Sequence, residues 1–444
     1  MTTTRHTQLG WAPTIPSHWK VVPLSFVAKM GTGHTPDRTK KEYWENCTVP
    51  WVTTPDVSRR GNSLAPLMET EQKISELGMA NSAAVLHSTD TVMLSRTASI
   101  GYSVRIGRPM ATTQAFVTWS AGPSLDSRYL LLVLRAMKQE WQKLAYGSTH
   151  LTIYMPDLEA LRVPLPPLDE QRRIADFLDA ENARIDKMLT TGSRLQQILQ
   201  ERRDVQQSLL LRGASKSGGR TFHPILGDLP DSWPIVPLKR LVPRIGVGVV
   251  VDPSSYFSDE GVPFLRGSNI TPQGIDLTDV KRMSESDSRA LWRSRLTTGD
   301  VVVIRAGYPG RAAVVPEELN GANCASLIVL KKGDRLLPEY LEAYFNSPLG
   351  KAYVDSVRYG AAQEQINVSH VVDFMVPVPA PDEQAALVAE LAQAGNKVRT
   401  LQEKATRQEI LLEERRQALI TAAVTGQFDV STASGRNVTE GVSA

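Results

Sequence analysis

Between residues 174 and 209, mostly apolar or small positions recur in alternating steps of four and three. They are Ile174, Leu178, Glu181, Ile185, Met188, Gly192, Leu195, Leu199, Arg202, Gln206 and Leu209. Adding 213 to each number lands on Leu387, Leu391, Ala394, Val398, Leu401, Ala405, Gln408, Leu412, Arg415, Leu419 and Ala422. Steps of this kind predict two long helices, each with a packing seam in one heptad frame. Elsewhere the apolar runs are short. "VPWV", "TVMLS" and "AFVTW", and later "VPFL", "DVVVIR" and "SLIVL", are bounded by Gly, Pro, Asn and Asp, which predicts strands. Residues 126–146 and 338–359 have helical spacing behind an Asp or Pro start. The predicted order is globular, helix, globular, helix. Its segments are 1–165, 166–215, 216–378 and 379–430, with a flexible tail at 431–444. Each globular part is mixed α/β in the α+β sense, because no regular βαβ alternation is present.

The second half repeats the first. "PSHWKVVPL" (16–24) matches "PDSWPIVPL" (230–238), and "VPWVTTPDV" (49–57) matches "VPFLRGSNI" (262–270). "DTVMLSRTASIG" (90–101) matches "GDVVVIRAGYPG" (299–310), with Asp90 set against Asp300 and Arg96 against Arg305. "GSTHLTIYMPDLEALRVPLPPLDEQ" (147–171) matches "GAAQEQINVSHVVDFMVPVPAPDEQ" (360–384) without a gap. The prolines stop a strand before each helix, and Asp169 or Asp382 is expected to cap it, with negative charge at its positive end. The acidic pair Asp169 and Glu170 is thus read as capping and not as acid/base chemistry. Gly192, opposite Ala405 in the repeat, marks a kink or a place where another backbone approaches.

Composition narrows the function. At 444 residues the chain suits two or more domains. Cys47 and Cys324 form neither a CxxC metal site nor a disulfide framework. No apolar run approaches the roughly 18 to 20 residues that span a bilayer, and "MTTTRHTQLG" lacks a signal-peptide core. A cytoplasmic protein with no membrane partner is expected. Net charge is +3, but residues 1–165 hold 17 Lys+Arg against 12 Asp+Glu, while 216–378 balance at 18 and 18. That basic excess is compatible with a polyanion partner. No phosphate-loop, dinucleotide, HExxH or amino-methyltransferase motif occurs, and the seven His lack metal spacing. "GTGHTP" (31–36) reads as a tight turn in preference to a phosphate cradle. No catalytic residue and no metal ligand is assigned; the pattern is that of a positioner.

With two "DEQ" helices, two "VP(W/F)" strands, the paired Arg96 and Arg305, and "ERR" recurring at 201–203 and 414–416, the chain resembles the specificity subunit of type I restriction-modification systems. The resemblance runs from about Trp11 to Phe428. It implies two target recognition domains, each reading one half of a split target in double-stranded DNA. It implies an antiparallel coiled coil between them, related by a pseudo-two-fold, that sets the spacing. Two methyltransferase subunits would dock along the helices and restriction subunits could join them. The S-adenosylmethionine and ATP sites would then lie in those partners, and this chain would hold no cofactor. Because the two halves differ in sequence, the target is expected to be asymmetric and bipartite.

Direct DNA contacts favour Arg or Lys on guanine and Asn or Gln on adenine, with hydroxyls and backbone amides on phosphates. On that basis the first half offers Thr53, Thr54, Arg59, Arg60, Arg96, Ser99 and Tyr102, with Ser148, Thr149 and His150. The second half offers Arg266, Ser268, Asn269, Arg305, Tyr308 and Arg311, with Gln363 and Gln365. The apolar positions exceed what one antiparallel helix pair buries, so Phe177, Leu189, Ile198, Leu411 and Ile420 are expected to face partners. Two competing readings are a duplicated coiled-coil adaptor without DNA contact, favoured by the balanced second half, and an enzyme with an unrecognised site.

Overall fold

The computed structural model describes residues 3–97, 99–147, 151–250, 253–359, 364–427 and 430. The chain forms two compact units, Met1–Ser193 with Ala405–Ala444, and Arg194–Lys404. The division cuts both long helices, α1 (Leu168–Leu211) and α2 (Pro381–Val424). Each unit therefore contains one globular part, half of α1 and half of α2.

In the first unit a four-stranded antiparallel sheet runs in the order Ala28–Thr32, Phe116–Ala121, Val92–Ser95, Ser103–Arg105. A mixed sheet follows the order Gln72–Ile74, Val49–Val52, Ala111–Thr112, its last pair parallel. Strand Lys20–Pro23 pairs with Arg162–Leu165 and closes the globular part next to α1. Helix Ser127–Ala136 begins on an Asp126 side-chain cap, packs on the larger sheet and is buried on all sides from Tyr129 to Ala136. Onto that core pack Ile174, Leu178 and Ile185 from α1 and Leu419, Ile420 and Val424 from α2. A buried side chain of this size contributes roughly 1.5–3 kcal/mol, so these six tie both helix ends firmly to the globular part. The two helices run antiparallel here: Arg416 reaches Asp186, and Glu409 lies opposite Gly192.

The second unit repeats this topology, with an extra edge strand in its mixed sheet. Its larger sheet runs Ile245–Val247, Leu327–Leu330, Val301–Ile304, Ala312–Val314. Its mixed sheet runs Phe257–Ser258, Lys281–Met283, Val262–Leu265, Asn323–Cys324, again with a parallel last pair. Ile235–Pro237 pairs with Met375–Pro377, and Leu211 and Leu391 from the long helices join the core.

The repeated "DEQ" performs the same task in both units. Gln171 is fully buried: its carbonyl oxygen accepts from the Asp126 amide at 2.9 Å, and its amide donates to the Ser124 and Pro166 carbonyls at 3.0 and 2.9 Å. Gln384 accepts from the Leu337 amide at 2.8 Å and donates to the Arg335 and Pro379 carbonyls at 3.1 and 3.0 Å. Glu170 accepts from the Trp19 indole at 3.0 Å, as Glu383 does from Trp233 at 2.9 Å. The acidic pair thus does more than cap. Asp169 and Asp382 lie inside the first turn, favourable to the helix dipole, while the glutamate and glutamine fasten the helix to its globular part.

Several expectations are corrected. The heptad seam is buried at Ile174, Leu178, Glu181, Ile185 and Leu199 and at Leu391, Val398, Ala405, Leu419 and Ala422, but Met188, Leu195, Leu209 and Leu401 are about half exposed. The exposed residues share one of the two alternating heptad positions, so that side of the seam is the less covered one. The α1 assignment runs unbroken through Gly192, which meets no other backbone: a Cβ there would touch only the Glu409 side chain, at 3.4 Å. "GTGHTP" is neither turn nor cradle. Gly31 lies in a strand, and a Cβ on Gly33 would sit 1.9 Å from the Thr112 carbonyl oxygen, so glycine permits the close approach that lets the His34 amide bond that oxygen. Gly248 meets the Cys324 carbonyl in the same way. In the repeat, Asp300 corresponds to Thr91 and not to Asp90. The Ile106 and Val315 amides donate to the Thr91 and Asp300 carbonyls, while Asp90 and Gly299 share a positive φ, 69° and 85°. The helical stretches at 126–146 and 338–359 are each two helices, broken at Met137 and at Ser347, whose side chain caps the second with Pro348 in its first turn.

Candidate nucleic-acid interface

Arg96 and Arg305 occupy one geometric position. Each follows a central strand of the larger sheet, and the carbonyl oxygen of each accepts from a returning segment: the Ile153 and Ile366 amides donate to them, both at 2.9 Å. The loops that follow, 96–102 and 305–311, end on Gly101 and Gly310, whose φ values of 84° and 90° favour glycine. Each glycine amide closes the loop on the strand, donating to Ser95 or Ile304. The two loops are anchored alike at their ends while the displayed chemistry differs. "RTASIGY" offers hydroxyls and Tyr102, 38% exposed; "RAGYPGR" offers two cations and Tyr308, 69% exposed, with the Arg311 guanidinium 4.9 Å from its ring centre.

The arginines also differ. The Arg96 guanidinium braces the loop, donating to the Gln114 and Ile153 carbonyls at 3.2 and 3.3 Å. Arg305 is half-buried, and its Nε has no acceptor among the described residues. A cation without an internal acceptor at a strand end is suited to an external anion or base edge.

Other singled-out residues serve the scaffold. The Thr53 hydroxyl donates to Asp56 at 2.6 Å as the cap of helix Thr54–Ser58, whose first residue, Thr54, is half-buried. Arg59 is exposed and ion-paired to Glu71, and Arg60 donates to the Ala65 carbonyl at 2.6 Å. Asn269 is buried, bonding the Arg266 amide and the Asp276 carbonyl, and Arg266 pairs with Asp279 at 3.1 Å. Ser268 is exposed on the turn between them, and Ser99 is half-buried in its loop. Gln365 pairs through its backbone with Ala306 and Tyr359, beside the Arg305 loop. Ser148, Thr149, His150 and Gln363 lie outside the described residues, as does the tail 431–444.

On the helices, Ile198 and Leu411 are exposed, at 48% and 47%. Phe177 and Leu189 are half-buried against the first unit's core. Ile420 is corrected: at 2% exposure it belongs to that core, because the last turns of α2 lie against the globular part. The sequence reading also missed Arg135, for which the charge inside "YLLLVLRAM" was the available signal. It is buried and donates to the Gly61, Ser63 and Ser103 carbonyls and to Asn62. Burial, reinforced by the neighbouring Arg416 cation, pushes its pKa down to about 10. Among the described residues no helix is long and apolar enough to cross a membrane, and no cluster of His, Cys, Asp and Glu suits a metal ion.

Comparisons with known proteins agree with this picture. Residues 16–198 match the family model of the type I restriction modification DNA specificity domain. The chain is 26% identical over 252 residues to the type I restriction enzyme EcoBI specificity subunit of Escherichia coli, covering 53% of this chain and 52% of that protein. It is 24% identical over 319 residues to the putative type I restriction enzyme MjaX specificity subunit of Methanocaldococcus jannaschii, covering 69% of each. The chain thus spans about half the length of the Escherichia coli relative. A solved chain from work on complex assembly and conformational transition of the type I R-M system shares the fold, with a TM-score of 0.69 at 20% identity over 93% of this chain and 99% of that one.

Proposed function

We propose that this chain is a specificity subunit of a type I restriction-modification system, a reading supported by its similarity to that family, and that it reads an asymmetric, bipartite DNA target and holds methyltransferase subunits against it. Each unit reads one half of the target, and the long helices set the gap between the halves. The observation that carries the reading is the pair of loops 96–102 and 305–311: anchored to the sheet by the same backbone bonds and each closed on a glycine of positive φ, they display different side chains. Two readers of unlike sequences need that combination, because a conserved frame fixes register while side chains select bases. An adaptor without DNA contact gives no reason for the frame to be kept while the displayed groups change. Methyl transfer from S-adenosylmethionine and ATP-driven steps would belong to methyltransferase and restriction subunits, and the assembly would work where the DNA is, in the cytoplasm.

The test exchanges residues 16–160 for the matching segment of a relative with a known target and maps modified bases across the genome of the expressing host. One half of the target changes and the other stays. If both halves change together, the units are not independent readers.

Docking is tested on the helices. Leu411→Asp is expected to weaken assembly with the methyltransferase subunit by roughly thirtyfold, equivalent to about 2 kcal/mol at an interface anchor. Its fold is retained, since Leu411 is half exposed. Ile420→Asp, by contrast, places a charge in the core and unfolds the first unit. Subunit titration showing wild-type affinity for Leu411→Asp would remove that face of α2 from the interface.

A further inference from the structure

We infer that Trp292, with Arg244 and Arg293, forms a second DNA contact on the second unit, in which the arginines hold phosphates and the indole packs on the sugar edge. The inference rests on the DNA reading above and extends it to a surface outside the loop 305–311. Trp292 is 59% exposed, an unusual place for so large an apolar ring. Two guanidinium groups lie over it, Arg244 at 5.8 Å and Arg293 at 5.4 Å from the ring centre. Neither arginine has a carboxylate or carbonyl partner among the described residues. Beside them the Trp292 turn and Gly248 border a cleft of about 370 Å³. Unpaired cations stacked on an exposed aromatic present charge to an anion and a flat apolar surface to what carries it, as a sugar-phosphate backbone requires.

Position supports the assignment. Gly248 donates its amide to the Leu327 carbonyl at 2.9 Å, and Leu327 pairs with Ile304, the residue before Arg305. The cleft and the Arg305 loop therefore share one end of the larger sheet, two strand spacings or about 10 Å apart. One duplex, whose phosphates recur at a few ångströms along each strand, reaches both. Charge is concentrated here as well. Residues 281–295, "KRMSESDSRALWRSR", hold five Lys+Arg against two Asp+Glu, a net +3, in a half whose segment 216–378 balances. The corresponding stretch of the first unit, 72–86, holds one Lys and one Glu. There Ala83 and Ala84 stand where the second unit has Trp292 and Arg293, because the Leu296 and His87 amides and carbonyls occupy matching places in the two frames. The patch is thus an addition to a duplicated scaffold that folds without it.

The experiment uses the full chain co-expressed with its methyltransferase subunit. Duplex binding is followed by anisotropy from 50 to 200 mM salt, on the target and on a duplex altered at one base of the second half-site. Each phosphate contact contributes about 0.9 to the slope of log affinity against log salt. Arg244→Gln with Arg293→Gln is expected to make the slope shallower by nearly two and to weaken both duplexes by the same factor. Lysine at both positions restores the slope, and Trp292→Ala lowers affinity at unchanged slope. Equal thermal unfolding of the variants shows that the fold is retained. A wild-type slope in the double glutamine variant overturns the inference while leaving the DNA reading intact. A wild-type slope combined with lost subunit assembly assigns the patch to a protein partner instead. Failure of the wild-type complex to bind any duplex overturns the DNA reading itself and this inference with it.

Discussion

Gln171→Leu is expected to destabilise the first unit by about 3 kcal/mol or more, and Gln384→Leu the second by a similar amount. Leucine keeps the volume but satisfies none of the three bonds that the buried glutamine makes to Asp126, Ser124 and Pro166. Each net bond contributes about 0.5–1.5 kcal/mol, and an orphaned buried amide costs about 1–3 kcal/mol more. For a unit of this size that lowers Tm by roughly 6–12 °C. Gln171→Glu fares no better, because a carboxylate cannot donate to the two carbonyls. Calorimetry of the full chain reads both variants, and a drop below about 2 °C would show that these bonds do not join helix to globular part. The same substitutions explain why "DEQ" is written twice: each copy closes the entry of a long helix with one acidic anchor for a tryptophan and one amide for three backbone groups.

A second large effect is expected at Lys331. Its ammonium bonds Asp300 at 2.6 Å, and Asp300 is 1% exposed in the second unit. Lys331→Met leaves a buried carboxylate without its cation, which typically costs about 3–5 kcal/mol. The lower end applies, because the Thr297 and Lys332 amides still donate to Asp300. The first unit provides the neutral alternative. At the matching positions the Thr91 and Ser120 hydroxyls bond each other at 3.1 Å, with Thr91 buried. Asp300→Thr combined with Lys331→Ser therefore recovers most of the loss seen in Lys331→Met. A double-mutant cycle by denaturant unfolding measures the coupling. Purely additive losses would mean that the pair contributes no mutual stabilisation and that the two units do not share this site.

The sequence by itself determined what depends on neighbours along the chain. Short apolar, β-branched runs bounded by turn residues marked the strands at 49–52, 92–95, 262–265 and 301–304, and the steps of three and four marked both long helices. The duplication was visible because the same local solution is written twice, and it correctly set Arg96 opposite Arg305. The tertiary structure alone decided which groups are occupied. Arg96 and Arg305 look alike in sequence, yet among the described residues only Arg96 has its guanidinium held by carbonyls, one of them 57 residues away. Thr53 and Asn269 have the chemistry of DNA contacts but are committed to caps and turns. Ile420 and Leu411 both extend the apolar pattern of α2, and whether each is covered depends on the globular part that lies against the last turns of the helix. Periodicity is a property of the backbone repeat, whereas burial and hydrogen-bond partnership depend on residues brought together across 150 or more positions, as Trp19 and Glu170 are.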